Sequence, residues 1–303
     1  MPSSTPASAT IELQAPALAL RGRTPLQAAL HRLMANRVAR WGMGIVVLFT
    51  LMAVLSPIFL PYDPTTDSDL LARLKPPTWT HPFGTDALGR DILMRILHAA
   101  RVSLGLGVGS VVVAALIGSV LGLLAGYRGR RIDLCVMFCM DILLAFPATL
   151  LAIAIVAMIG PGLRNSLIAI SVVSIPFYAR ITRGEVLSLK EREFVTAARG
   201  LGGSGLRIIL CHVFPNTLPP LTVQTTLAVA FAVLEAAALG FLGLGAQPPT
   251  PEWGAMLADS YKFFTSGAWW AFFFPGAAIM LSVLGFNLLG DALRDALDPR
   301  LRT

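Results

Sequence analysis

Charge is what this sequence has least of. Asp, Glu, Lys and Arg make up 14% of its 303 residues, where soluble domains carry about 25%. That shortfall excludes disorder for the bulk of the chain, and it excludes a domain with a water-facing shell. Cysteine is scarce too: Cys135, Cys139 and Cys211 give no disulfide framework and no CxxC pair for zinc. Of the three lysines, Lys75, Lys190 and Lys262, none follows glycine, so the phosphate loop GxxxxGK[ST] is missing. The four histidines, His31, His81, His98 and His212, form no HExxH and no i,i+4 pair for a metal. Gly105-Leu106-Gly107 has Ser110 where a dinucleotide fingerprint needs glycine, and no serine stands in a GxSxG elbow. No catalytic residue, metal ligand or cofactor site is therefore expected, and no enzyme. The net charge of +7 is spread over short loops rather than gathered into a patch, which argues against a nucleic-acid partner.

What the chain does have is apolar length. It is 55% hydrophobic with a mean hydropathy of +0.71, and a bilayer span needs about 20 apolar residues. Six stretches qualify, at approximately 41–60, 102–127, 134–160, 165–181, 217–245 and 268–290. Backbone groups must be satisfied within lipid, so these read as helices, and the expected fold is an all-α integral membrane protein of six spans. Pro147, Pro176, Pro219, Pro220 and Pro275 fall inside them, which membrane helices tolerate. Gly105, Gly109, Gly118, Gly122 and Gly126 put small-xxx-small spacing on the second span and predict that it packs within the bundle.

Seventeen lysines and arginines fall on the side holding residues 1–40, the 128–131 turn, the 180–215 loop and the C-terminal tail; seven fall on the other. That bias predicts both termini in the cytoplasm. The organisation expected is a 1–40 tail with a short amphipathic helix (Leu26, Leu30 and Leu33 against Arg32, Arg37 and Arg40), then 41–101 with the first span and an outside loop. A five-helix core over 102–290 and a cytoplasmic tail over 291–303 complete it. The first apolar run lies too far in and is too long for a cleaved signal peptide.

Two loops are too long to be plain connectors. In the outside loop, Thr85 or Asp86 can cap a helix whose one face holds Leu88, Ile92, Leu93, Ile96 and Leu97, with Arg90, Asp91 and Arg95 on another. This predicts an amphipathic helix at the outer surface, either a cover for the bundle or a docking or gating surface. Asp86, Arg90 and Asp91, with Trp253 from the later outside loop, are the candidates for that second role. The inside loop predicts two short helices at a right angle, Glu193–Leu201 stopped by Gly202 and Gly203, then Leu206–Cys211. Such a pair could be gripped by a soluble partner or simply be solvated.

Asp141 and Glu235 sit inside predicted spans, where a charge at the bilayer centre costs about 2.5–3.5 kcal/mol, so each must face protein or water. Each reads either as a contact for cargo, for example an ammonium group, or as a helix-helix hydrogen bond. Asp141 lies near the inner end of its span and Glu235 more centrally.

At the inside loop the sequence resembles a known family. FVTAARGLG followed by Phe214-Pro215 is similar to the EAA loop of ABC importer permeases: EAA, three residues, Gly, then a later Leu-Pro. Ala197, Ala198, Gly202 and Pro215 match, while Thr196 replaces the glutamate and Phe214 the leucine. HPFGTDALGRD, DILLAFP at 141–147 and ALGFLGLGAQPPTPEWGAML at 238–257 resemble the peptide/nickel branch of these permeases. The closing FNLLGDALRDALDPRLR is similar to the second, C-type permease subunit of bacterial dipeptide importers. The resemblance implies a type I ABC importer permease in a bacterial inner membrane. It implies a second homologous permease, one or two ATPase subunits that bind ATP and Mg, and a periplasmic or lipid-anchored substrate-binding protein. Glu193, Thr196, Ala197, Ala198, Arg199, Gly202 and Pro215 would then couple to the ATPases, and Asp141 and Glu235 would line the path. Dipeptides or short oligopeptides are the implied cargo, with nickel, glutathione or another peptide-like cargo as alternatives. From the residues alone, an ion-coupled secondary transporter using Asp141 and Glu235 stays open.

Overall fold

The computed structural model of the chain describes residues 33–63, 65–265 and 267–297. Most of the predicted N-terminal tail and the last six residues lie outside them, so Leu26, Leu30 and Arg32 of the proposed amphipathic run do too. Helices are the only extended regular elements among the described residues, whose sole ladder contact is an isolated bridge between Thr85 and Asp91.

Asn36 starts α1 (Arg37–Phe59) by accepting from the Val38 amide at 2.9 Å. The loop that follows leads to α2 (Ile92–Arg128), where the Asp91 side chain accepts from the Met94 amide at 3.0 Å. Asp91 is thus the cap, rather than Thr85 or Asp86. The predicted surface helix is also absorbed: Ile92 to Leu97 are the first turns of α2, with Ile92, Arg95 and Ile96 buried. Its polar face turned inward because Asp86 supplies the arginines with a buried counter-charge.

α3 (Arg130–Leu144) and α4 (Ala148–Ile159) meet at a bend of 91°. Pro147 has no N–H and disfavours helix at Phe146, so the stretch expected as one continuous span breaks there. α5 (Leu163–Leu189) carries Pro176 without breaking. α6 (Glu193–Gly200) is short, and α7 (Gly205–Phe241) runs on as one helix. The second short inside helix expected at Leu206–Cys211 is therefore the beginning of α7, not a separate element. α8 (Trp253–Ser260) and α9 (Trp269–Leu297) complete the chain. Among the described residues, five helices are long and apolar enough to cross a bilayer, or six crossings if α3 and α4 act as one span.

The α2 glycines position the bundle. A Cβ on Gly118 would lie 2.6 Å from the Tyr178 Cβ, and one on Gly126 2.8 Å from the Val186 Cβ. Gly122 faces the Ala179 carbonyl, so α2 and α5 pack backbone to backbone and form the most extensive helix pair. Gly105, by contrast, meets nothing. Of the five long apolar helices α1 is covered least: Trp41, Ile58 and Phe59 stand exposed, as lipid-facing side chains do.

Candidate coupling loop and interior carboxylate

The α6 segment is a short helix held from inside its own chain. Val195 is fully buried against Leu123 of α2, Val186 of α5, and Ile208 and Val213 of α7. Glycine then reverses the chain. Gly202 takes φ +81°, its amide bonds the Arg199 carbonyl at 3.0 Å, and the Gly203 amide bonds the Ala198 carbonyl at 3.1 Å. That pair of bonds is a Schellman turn, which needs a residue tolerant of the left-handed region at Gly202. Ser204 restarts helix by accepting from the Arg207 amide at 3.4 Å. A π turn over Ile209–Val213 precedes Pro215, whose missing N–H could not continue a regular ladder.

This puts the coupling candidates on different faces. Glu193, Thr196, Ala197, Arg199, Gly202 and Pro215 are exposed, whereas Ala198 is half-buried against the Val195 cluster. Apolar side chains also stand out here: Phe194, Leu201, Leu206 and Leu210 are all exposed. Sequence reasoning missed those four, although FVTAARGLG contains two of them.

Asp141 does not stand alone. It accepts from the Arg180 guanidinium at 2.7 Å, one turn before the α3–α4 bend, and both side chains are more than half exposed. A second aspartate on α3, Asp133, is held by both Arg183 Nε and Arg183 Nη2, the latter at 2.6 Å. These two pairs clamp α3 to α5. A count of opposite charges on adjoining spans could have found them.

Glu235 is placed differently. It lies on α7 six residues before Phe241, about 9 Å along the axis, and so nearer one end than its position in the expected 217–245 span suggested. Thr149, the second residue of α4 after the Pro147 break, donates to Glu235 Oε1 at 2.9 Å. Glu235 Oε2 is buried and has no hydrogen-bond partner. A cavity of about 290 Å³ opens beside it between α4, α5 and α7. Asp141 does not line this cavity, so the structure does not join the two carboxylates in one site.

At the opposite end of the bundle from α6, the predicted docking or gating residues turn out to be interior. Asp86 accepts from Arg90 Nε at 2.8 Å and from Arg95 Nη1 at 2.5 Å, and all three are buried. Asp91 pairs with His81 at 2.8 Å. Trp253 has no exposed surface; it sits edge-on to Phe49 and donates to the Ile96 carbonyl at 3.2 Å. Asp86, Arg90 and Trp253 therefore cannot serve as a docking face themselves. They fasten the loop to α2, and Leu70, Leu71, Trp79 and Leu88 are among the exposed apolar side chains of this end.

Beside Trp253 lies a residue the sequence reading passed over. Glu252 is fully buried and caps α8, accepting from the Gly254 amide at 2.9 Å and the Ala255 amide at 2.8 Å. Ser103 of α2 also donates to it, at 3.1 Å. Burial pushes its carboxyl above the ordinary range, and the three donors only partly offset that. The signal was a carboxylate just ahead of an apolar helical run, a helix-start signature.

Comparison with known proteins places this architecture. Residues 118–303 match the family model described as binding-protein-dependent transport system inner membrane component, and residues 24–77 match that of the N-terminal TM domain of oligopeptide transport permease C. The chain belongs to the binding-protein-dependent transport system inner membrane component family; it is a transport permease. Among its relatives is the dipeptide transport system permease protein DppC of Alkalihalophilus pseudofirmus, 50% identical over 282 residues, covering 92% of this chain and 91% of that one. The di/tripeptide transport system permease protein DppC of Pseudomonas aeruginosa is 48% identical, over 92% and 93% of the two chains. A probable D,D-dipeptide transport system permease protein of Escherichia coli is 46% identical, over 84% and 85%. Among solved structures, an inward-facing MetNI methionine ABC transporter chain shares the fold with a TM-score of 0.56 at 19% identity, over 68% of this chain and 98% of that one.

Proposed function

We propose that this chain is half of the translocation path of an ATP-driven importer of dipeptides or short oligopeptides in a bacterial inner membrane. It crosses six times, with α3 and α4 forming one bent span, and both termini face the cytoplasm. The excess of basic residues on the α6 side supports that orientation. A second homologous permease completes the path, and one or two ATPase chains, which hold ATP and Mg, rest beneath α6. A periplasmic or lipid-anchored binding protein delivers cargo at the opposite end. The relatives named for dipeptides support the choice of cargo.

The observation that carries this reading is the build of α6. Val195 ties it to three long helices, while Phe194, Leu201, Leu206 and Leu210 stay uncovered at a polar end of the molecule. A partner seated on those side chains would push on α2, α5 and α7 together, which is how a two-state change of access could be driven.

The test is a gentle-detergent pull-down of the tagged chain, then reconstitution of what is recovered. Recovery of a second permease and ATPase chains, with dipeptide uptake that requires ATP, is the expected result. A chain recovered alone that moves cargo on an ion gradient would replace the reading with a secondary transporter.

A further inference from the structure

We infer that the cavity beside Glu235 is a waypoint for the positively charged amino end of the cargo. The inference rests on the importer reading and adds the chemistry recognised on the way through. Three features of the cavity point to an ammonium group. One is the carboxylate: Glu235 Oε1 takes a hydrogen bond from Thr149, while Oε2 is buried with no partner. An acceptor left unsatisfied there costs about 1–3 kcal/mol or more, and no basic side chain lines the cavity to answer it. Asp141, whose negative charge Arg180 already meets, makes the contrast plain.

The aromatic walls are the second feature. Phe177, Tyr178 and Phe231 line the same cavity as Glu235, and the rings of Phe177 and Tyr178 lie edge to face with centroids 6.0 Å apart. Aromatic faces attract a cation through the ring quadrupole, and more so where water is excluded. A carboxylate with aromatic rings around it therefore favours an organic ammonium over a neutral or anionic group. Size is the third. About 290 Å³ is at the small end of ligand pockets, roughly 300–1,000 Å³, and suits one end of a peptide rather than a whole long chain. Phe231 and Phe177 are themselves partly exposed, so the cavity opens to the outside of the single chain at that wall.

The geometry also explains the α3–α4 bend. Pro147 ends α3 and lets α4 start at Ala148, which brings Thr149 to Glu235 and Ala148 and Ala152 to the cavity wall. Alanines there leave the room that larger side chains would fill.

The test uses the complete transporter in liposomes: both permeases, the ATPase chains and the binding protein, with dialanine as cargo. Uptake and ATP hydrolysis are measured together for wild type, Glu235→Gln, Glu235→Asp and Phe231→Leu. Glu235→Gln keeps the size of the side chain and an acceptor for Thr149 but removes the charge. Its uptake per ATP should fall about tenfold or more, the worth of a charged hydrogen bond. Assembly and ATP hydrolysis stimulated by the loaded binding protein should be retained, and Glu235→Asp should restore most of the uptake. Phe231→Leu, an exposed position that cannot unfold the core, should lower uptake per ATP about two- to fivefold. Wild-type uptake per ATP in both Glu235→Gln and Phe231→Leu would overturn the waypoint and leave the importer reading standing. Loss of assembly or of ATP hydrolysis in Glu235→Gln, with Phe231→Leu normal, would also overturn it and make Glu235 a packing residue. Wild-type liposomes that take up no dialanine with ATP would instead sink the importer reading.

Discussion

The two ends of this bundle solve opposite problems. At the 61–91 end, charged and polar groups are taken out of water and given partners: Asp86 with Arg90 and Arg95, and Glu252 with Ser103 and two amides. At the α6 end the interior is five buried aliphatic side chains, and the exposed surface carries Phe194, Leu201, Leu206 and Leu210. Buried charge networks are weak sources of net stability, but breaking one partner is costly. The 61–91 end is therefore fixed in one arrangement. The α6 end is cheap to perturb in stability and, on the importer reading, expensive to perturb in coupling.

Substitutions at each end should separate these properties. The largest effect on stability is expected for Asp86→Ala, which takes the carboxylate from buried Arg90, leaves buried Arg95 only Asp259 at 3.7 Å, and should cost about 3–5 kcal/mol. Thermal unfolding in detergent, followed by tryptophan fluorescence, would read it as a clear drop in midpoint. Val195→Ala should cost less, about 1.5 kcal/mol for two methyl groups removed from a small cluster. In the reconstituted transporter it should nevertheless lower uptake per ATP severalfold, because α6 would no longer move with α2, α5 and α7. An Asp86→Ala protein as stable as wild type, or a Val195→Ala protein with normal coupling, would erase the contrast.

The smallest and most specific effect is one of pH. Burial raises the Glu252 carboxyl in the folded chain above its ordinary 4.5. The folded state therefore holds this proton more tightly than the unfolded state does. The stability so gained is fully present below the unfolded value and is lost as pH rises through the raised folded value. Wild type should thus lose unfolding midpoint relative to Glu252→Gln as pH climbs from 4.5. A constant difference between the two across that range would remove Glu252 from the account.

Much of this was legible in the sequence, and the misses have physical causes. Spans could be read because lipid permits few backbone solutions, and the α2 glycine stripe because its spacing repeats along one face. The helix stop at Gly202 and Gly203 was legible since only a local conformation decides it. What escaped notice depended on contacts between distant residues. Arg90 and Arg95 look solvent-facing in sequence, and only the folded loop shows Asp86 meeting both. Trp253 looked like a surface aromatic until Phe49 and Ile96 closed over it. The bend at Pro147 was hidden because membrane helices often carry proline unbroken, as α5 does at Pro176 and α9 at Pro275. Glu235 was legible as an intramembrane carboxylate, but its cavity and aromatic walls are assembled from α4, α5 and α7 and have no signature within any one of them.

The central claim is that the α6 end, and not the opposite end, is where the ATPase chains sit. A photocrosslinking side chain placed at Leu201, and separately at Trp79, in the assembled transporter tests it most directly. Leu201 should capture an ATPase chain and Trp79 should capture none. Capture of the ATPase at Trp79, or no capture at Leu201 in a transporter that still hydrolyses ATP and imports its cargo, would contradict the account.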